Sequence, residues 1–168
     1  MVSLQPMKTL SIKLPGKILA SGFWLYIWRV GLPNGKKVFY VGRTGDSSSP
    51  NAAPPYRRLG QHLGFIKASN SLRCHLLNRR CEPESCHQFE FITFGPLFPL
   101  QKTMTKHKPF RDKTAALEKK LADTLRQCGY DVLNEVKCRK ELDLKLWERV
   151  RRAFVGDFPK LKSQSCMR

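Results

Sequence analysis

Two apolar runs separated by a turn signal near the start of the chain predict a β-hairpin. Phe23 to Val30 and Lys37 to Val41 are rich in aromatic and β-branched residues, and Pro33-Asn34-Gly35 between them is a turn signal. Residues of these types favour strands, and two such runs on either side of a turn form an antiparallel pair. The hairpin would carry two tyrosines, Tyr26 and Tyr40.

Residues 45–109 predict a loop, two short helices, a third strand and an irregular stretch. Residues 45–55 contain three serines and three prolines, which predicts a loop. A helix over residues 56–63 can begin at Pro55 and end at Gly64, and a second one covers residues 72–80. Phenylalanines 89, 91 and 94 around Ile92 predict a strand that Gly95-Pro96 would end. The stretch from Pro96 to Pro109 is predicted to be irregular.

The strongest helical periodicity lies further along the chain. Leu117, Leu121, Leu125 and Cys128 repeat at intervals of four and three residues, Asp112 or Thr114 can cap the start, and Gly129 ends the helix. Val132-Leu133 then predicts a short strand. Leu142, Leu146, Val150 and Phe154 define a last helix. The predicted fold class is α/β (α+β), with a small central antiparallel sheet of about three strands flanked by helices.

Composition indicates the kind of molecule that the protein binds and the number of domains that it can form. Lys and Arg number 31 against 13 Asp and Glu, which gives a net charge of +18 on 168 residues. Such a field attracts polyanions, although it does not separate a nuclease from a ribosomal or architectural protein. With 41% apolar residues the chain can bury one modest core. We expect an N-terminal extension (1–21), a central domain (22–136) and a basic C-terminal helix and tail packed on it (137–168).

The chain lacks an apolar stretch long enough for a signal peptide or a membrane span, which predicts an intracellular protein of the cytoplasm or nucleoid with no membrane partner. Its six cysteines, at positions 74, 81, 86, 128, 138 and 166, are then expected to be free thiols. Cys74-His75, Cys81 and Cys86-His87 raise the alternative of a zinc site. Their spacing differs from the paired knuckles of structural zinc sites, and a basic helix leading into a turn explains the segment as well.

Six polar residues form an ordered set along the chain. Each has an ordinary structural explanation when taken alone, such as an aromatic residue in a sheet or a charge on a solvated helix face. Arg58 and His62 have the i,i+4 spacing that places both on one face of a helix. The set is Tyr26, Tyr40, Arg58, His62, Glu118 and Asn134.

In order and spacing this set resembles the GIY-YIG nuclease superfamily, over roughly residues 22–136 and closest to its small restriction-type members. The two motifs read Trp24-Leu25-Tyr26 and Tyr40-Val41-Gly42. The first departs from the family pattern, with Trp24 in place of glycine and Leu25 in place of isoleucine. A large indole at that position implies local repacking around an unchanged tyrosine.

The resemblance implies a catalytic site. Glu118 would hold one Mg²⁺, for which Mn²⁺ can substitute, because one carboxylate completed by phosphate oxygens and water suits a hard cation. Tyr26 is the candidate general base, and it would need cationic neighbours to lower its pKa. Tyr40 would orient the water or touch the phosphate, and Arg58 would grip the phosphate through a bidentate fork. His62 would bond the phosphate or a tyrosine hydroxyl, and Asn134 would support the backbone or a neighbour of Glu118.

The expected function is metal-dependent cleavage of duplex DNA, of restriction type. A structure-specific repair or nicking nuclease is an alternative, as is a non-catalytic basic protein that binds nucleic acid. An enzyme that cuts both strands would pair two copies, since each chain offers one site. The residues expected to contact DNA outside the catalytic set are Arg43, Arg57, Lys145, Arg149 and Arg152.

Overall fold

A computed structural model of the protein describes residues 9–67 and 69–162, and it confirms a mixed α+β fold with a three-stranded antiparallel sheet and four helices. Cys166 and the outer ends of the two terminal segments lie outside these residues. None of the helices in the described part is long and apolar enough to cross a membrane. Three short 3₁₀ turns accompany the main elements, which are β1 (Phe23–Gly31), β2 (Lys37–Arg43), α1 (Pro55–Leu63), α2 (Ser71–Asn78), β3 (Gln88–Phe98), α3 (Met104–Gln127) and α4 (Leu144–Phe154).

The sheet has the order β2-β1-β3, so the first strand of the hairpin is the central one. The predicted antiparallel hairpin is confirmed, with Tyr26 opposite Gly42 and Trp28 opposite Tyr40. On its other side, Tyr26 pairs with Thr93 of β3. Successive residues of a strand point to opposite faces, and the central strand is buried on both of them.

Each face of the sheet is covered by a different pair of helices. One face, with Leu25 and Ile27, packs against Leu117 and Leu121 of α3 and against Trp147 of α4. The other face includes Tyr26, Trp28 and Val30, and it packs against Leu72 and Leu76 of α2. Tyr40 and the α1 residues Leu59 and Leu63 lie against this second cluster. The strand alternation therefore sends both tyrosines to the side of α1 and α2.

The prediction that Gly95-Pro96 ends the third strand is wrong, because β3 continues to Phe98. Phe98 pairs with Phe23, and a register shift between Phe23 and Leu25 absorbs the irregularity. Proline is compatible with this position because β3 is an edge strand, where an amide hydrogen is not needed on the outer side.

The predicted start of the long helix is also wrong. Its cap is Thr103, whose hydroxyl accepts a hydrogen bond from the amide of Lys106, rather than Asp112 or Thr114. The region from Pro96 to Pro109 is therefore part strand and part helix, with Pro109 inside α3. The apolar periodicity did not reveal the first turns of α3, because these turns pack on a loop through a polar residue. That residue is His107, which is fully buried.

Three smaller features differ from the sequence prediction. Helix α2 ends at Asn78 rather than at residue 80. Arg80 has a positive φ of 56° and therefore cannot continue the helix. Helix α4 begins at Leu144, two residues later than predicted, because the side chain of Asp143 caps it. Val132 forms an isolated parallel bridge with Phe39 instead of a strand.

Asn134 fastens the chain after α3 to the outer edge of β2. Its Oδ1 accepts from the amide of Val41 at 2.9 Å, and its Nδ2 donates to the Val41 carbonyl at 2.8 Å. The predicted supporting role of Asn134 thus takes the form of a backbone clamp. The clamp satisfies the amide and the carbonyl of Val41, a buried residue on β2, which is an edge strand of the sheet.

Replacing Asn134 by alanine should destabilise the fold by about 2 kcal/mol, because it strands a buried amide and a buried carbonyl. Urea unfolding followed by circular dichroism measures the change. Asn78→Ala, at an exposed asparagine that ends α2, is the control and should leave the midpoint nearly unchanged. Equal midpoints for the two variants would show that water replaces the clamp.

Candidate active site

Five of the six predicted catalytic residues meet in one open cleft of about 450 Å³. They come from four separate elements of the fold, with one residue on each of β1, β2 and α3 and two on α1. Asn134, the sixth, does not line the cleft and acts through the backbone of β2. The titratable residues that line the cleft are Tyr26, Tyr40, Arg43, Asp46, Arg58, His62 and Glu118.

Tyr26 and His62 form the buried centre of the site. The Tyr26 hydroxyl lies 2.7 Å from Nε2 of His62, and both residues are buried. Gly42 makes this placement of Tyr26 feasible, since a Cβ there would lie 2.4 Å from the tyrosine ring and its hydroxyl. The glycine of Tyr40-Val41-Gly42 is therefore required by the packing of the tyrosine opposite it.

Burial governs the protonation of both groups. It raises the pKa of Tyr26 well above its usual value, and Arg58 and Arg43 only partly oppose this effect. Arg58 and Arg43 do lower the pKa of Tyr26, as expected of cationic neighbours, but burial outweighs them. Burial, assisted by Arg58, lowers the pKa of His62 to about 4. At neutral pH a protonated tyrosine thus faces a neutral imidazole.

Tyr40 contacts the same histidine from the neighbouring strand. Its ring centroid lies 4.9 Å from that of His62 and 5.8 Å from that of His75. Burial raises the pKa of Tyr40, while a hydrogen bond with the side chain of Ser71 lowers it. Both tyrosines are therefore neutral hydroxyl groups at neutral pH.

Glu118 is paired with Arg43 at the end of β2. Oε2 of the carboxylate lies 3.1 Å from Nε of Arg43, and only 16% of the glutamate side chain is exposed. Burial raises the pKa of Glu118 to about 7, against the opposing effects of Arg43 and Arg58. Arg43, which we expected on the DNA-contacting surface, is thus a component of the cleft, and it also donates to the carbonyl of Gly45.

Arg58 is held by a residue that was not predicted from the sequence. Its Nη2 lies 3.4 Å from Oδ1 of Asp46, and its Nη1 donates to Gln61 at 3.0 Å. Among the described residues the buried Nε of Arg58 has no hydrogen-bond partner. The guanidinium is therefore oriented by Asp46 and Gln61 through its two terminal nitrogens.

Asp46 owes its position to α3. Its carbonyl accepts a hydrogen bond from Nε2 of the buried His107 at 2.8 Å, and Arg111 donates to the carbonyl of the next residue, Ser47. Asn51 bonds both the side chain and the backbone of Asp46. The sequence offers one signal for Asp46, which is that aspartate in a serine-rich loop tends to form local side-chain hydrogen bonds. This tendency does not indicate a functional role.

The donors in the cleft suit a hard cation. Among residues 9–67 and 69–162, no three His, Cys, Asp or Glu side chains come close enough together to cage a metal ion. The cleft offers the carboxylates of Glu118 and Asp46 beside hydroxyl groups, with no sulfur ligand. Such a set fits Mg²⁺, which keeps several waters and binds through one or two carboxylates plus substrate oxygens.

The cysteine and histidine segment makes other contacts. Sγ of Cys81 lies 3.6 Å from Sγ of Cys86, whereas Cys74 donates to the side chain of Asn70. His87 bonds the carbonyl of Pro33, and His75 faces Tyr40. These side chains are directed to separate partners, so they form no zinc-ligating group.

The remaining predicted DNA contacts lie on the surface. Arg57 is exposed on α1, near the cleft. Lys145, Arg149 and Arg152 are exposed on α4, where they border a separate shallow groove of about 560 Å³. These cations of α4 therefore do not line the cleft.

No protein-family model, curated protein or solved structure matches the chain. What the cleft can do chemically follows from its own groups. It combines a carboxylate that accepts a proton near neutral pH, two oriented guanidinium groups and a tyrosine hydroxyl bonded to a neutral histidine.

The raised pKa of Glu118 has a consequence for stability that needs no assumption about function. A carboxyl whose pKa is about 7 in the folded state and 4.5 in the unfolded state favours folding below pH 4.5, and this contribution is lost as the pH rises to 7. Glu118 should therefore remove up to about 3 kcal/mol of unfolding free energy over that range, while His62, whose pKa is lowered, acts in the opposite direction. Because His62 is common to both proteins, the wild type should lose this amount relative to Glu118→Gln between pH 4.5 and pH 8, as measured by urea titrations in EDTA.

The matched control is Glu135→Gln, at an exposed glutamate, and its stability should follow the wild-type pH dependence. Parallel stability curves for the wild type and Glu118→Gln would mean that Glu118 titrates like an exposed carboxyl group.

Proposed function

We propose that the protein is a divalent-metal-dependent DNA endonuclease that resembles the GIY-YIG superfamily. The observation that carries this proposal is the convergence of Tyr26, Arg58, His62 and Glu118 on one cleft. These residues lie on β1, α1 and α3, so their meeting is a property of the fold and not of a local motif. The net charge of +18 supplies attraction to a phosphate backbone.

Hydrolysis of a phosphodiester requires activation of water, neutralisation of charge on the pentacovalent phosphorus and stabilisation of the leaving oxygen. Glu118 would hold Mg²⁺, which supplies a positive charge next to the phosphate oxygens. Arg58 would donate to a non-bridging oxygen through its planar fork. For this it exchanges its 3.4 Å contact with Asp46 for the phosphate.

The pair of Tyr26 and His62 would activate the water. The hydroxyl oxygen of Tyr26 would accept a proton from water while its own proton passes to Nε2 of His62, 2.7 Å away. Arg58 is one of the two causes that lower the pKa of His62. A phosphate bound to Arg58 offsets that charge and makes His62 a better proton acceptor when substrate is present. Tyr40 would orient the water from the other side of His62.

Cleavage of both strands of a duplex would need two copies of the protein, because each chain offers one such cleft among its described residues. A restriction-type enzyme would therefore act as a pair, whereas a single copy would nick. A non-catalytic binder on the same scaffold would bind DNA with the same salt dependence and leave it intact.

Incubation with supercoiled plasmid in Mg²⁺ or in EDTA tests the proposal. Wild-type protein should cut only with Mg²⁺, and Glu118→Gln should lower the rate on the order of a hundredfold or more while DNA affinity in EDTA is retained. Glu135→Gln, at an exposed residue that does not line the cleft, should cut like the wild type. Binding without cleavage by the wild type would make the protein a nucleic-acid binder, and cleavage by Glu118→Gln would place the metal elsewhere.

The exposed cations of α4 should form a second binding surface for the DNA backbone. Replacing Lys145, Arg149 and Arg152 by alanine should reduce the slope of log affinity against log salt by about 0.9 for each phosphate that the protein no longer neutralises. Cleavage at saturating DNA should persist, because these residues do not line the cleft. Lys36→Ala with Lys37→Ala, at the exposed hairpin turn, is the control and should keep the slope.

An unchanged slope in the α4 triple variant would remove this helix from the binding surface. The backbone contacts would then belong to the cations on and beside α1 and α2, which are Arg57, Lys67, Arg73, Arg79 and Arg80.

A further inference from the structure

The loop between α1 and α2 presents two large apolar side chains to solvent. Phe65 is 80% exposed and Ile66 is 73% exposed. Just before them, the last turn of α1 carries His62, which lines the cleft. Just after them, Ser69 and Ser71 also line the cleft. The apolar pair therefore stands on a loop that borders the proposed site at both of its ends.

Hydrogen bonds fix the shape of this loop. The carbonyl of Ile66 accepts from the amides of Ser69 and Asn70, at 3.0 and 3.1 Å, and from the hydroxyl of Ser69 at 3.3 Å. Nε of Arg73 donates to the carbonyl of Leu63 at 2.8 Å, which ties the start of the loop to α2. These bonds tie Leu63 and Ile66, on either side of Phe65, to the start of α2.

Phe65 also carries a cation on one face of its ring. The guanidinium carbon of Arg73 lies 4.3 Å from the ring centroid, and the same guanidinium is paired with Glu84. Because Arg73 covers one face of the Phe65 ring and most of the side chain is exposed, the ring can act as a stacking platform. Nucleic-acid bases stack on such aromatic side chains, and arginine strengthens the contact.

The charge around the pair indicates which partner it meets. Lys67 follows the apolar residues directly in the chain, and Arg73 lies against the ring of Phe65. A second copy of this chain, at +18, would bring like charges together on this face. A polyanion with flat apolar surfaces between its charges matches both features, and DNA is such a partner. Apolar side chains flanked by cations are the wedges that proteins insert between base pairs.

We propose that Phe65 and Ile66 form a wedge that enters a base step of duplex DNA beside the phosphate held in the cleft. The step is partly unstacked, and the exposed bases pack on Phe65. The position of the wedge relative to the scissile phosphate rests on the proposed function, but the insertion itself does not depend on cleavage.

Insertion of a wedge unwinds the duplex, which can be measured without knowledge of the recognition sequence. Glu118→Gln protein is added to relaxed circular plasmid in EDTA, a topoisomerase that needs no metal is allowed to act, and the protein is then removed. The linking number should be shifted, and the shift should grow with the amount of bound protein. Adding Phe65→Ala and Ile66→Ala to this variant should abolish the shift and weaken DNA binding on the order of tenfold or more.

Leu100→Ala in the same background is the matched control, since Leu100 is 48% exposed and lies in the loop before α3. Its linking-number shift should equal that of the parent. Both substituted residues of the wedge are exposed, so the urea midpoint of the double variant should match the parent and exclude misfolding as the cause.

Either of two linking-number results would overturn the wedge. The first is DNA binding with no change in linking number, and the second is a linking-number change that the double variant keeps. A sedimentation experiment would also overturn it if the double variant alone loses a dimer while the linking number is unaffected, because the loop would then join two copies. Wild-type protein that shifts the linking number but fails to cut plasmid would leave the wedge standing and reject the endonuclease.

Discussion

The buried hydroxyl of Tyr26 is the constraint on which the site depends. Tyr26 lies on the central strand of a three-stranded sheet, where both faces are covered by helices, and a buried hydroxyl without a partner costs about 1–3 kcal/mol. His62 supplies that partner at 2.7 Å. This bond requires α1 to pack with its last turn over the sheet, which in turn places Arg58, one turn earlier, at the mouth of the cleft. The opposite strand accommodates the ring only because residue 42 is glycine.

Two guanidinium–carboxylate pairs line the cleft. Arg43 is paired with Glu118, and Arg58 is paired with Asp46. In the proposed function Mg²⁺ would take Glu118 from Arg43, and a phosphate would take Arg58 from Asp46. Each exchange would leave a partly buried charge, on Arg43 or on Asp46, without its partner, which is costly. The two pairs therefore set a cost that binding of metal and phosphate would have to offset.

The sequence predicted the parts of the site that have a local pattern and missed those that do not. The hairpin follows from two aromatic runs around a turn, and the shared helix face of Arg58 and His62 follows from their spacing. Asp46 and His107 have no such pattern, because their contact joins a loop to a helix 61 residues away through a backbone carbonyl. The start of α3 was missed for the same reason, since its first turns pack on that loop through a histidine rather than through an apolar stripe.

A second glycine leaves space for Trp24, which stands where the GIY-YIG pattern has glycine. The indole of Trp24 leaves so little space that a Cβ on residue 95 would lie 2.8 Å from Cδ2 of the tryptophan, and Gly95 has a φ of +150°. The indole nitrogen donates to the carbonyl of Ala20, and the amide of Trp24 donates to the hydroxyl of Thr44. Gly95 thus has a packing role inside β3. This role explains why Gly95-Pro96, a pair that usually ends a strand, lies within β3. Trp24 therefore packs beside Tyr26 because Gly95 on the neighbouring strand leaves space for its ring, and Tyr26 lies opposite Gly42.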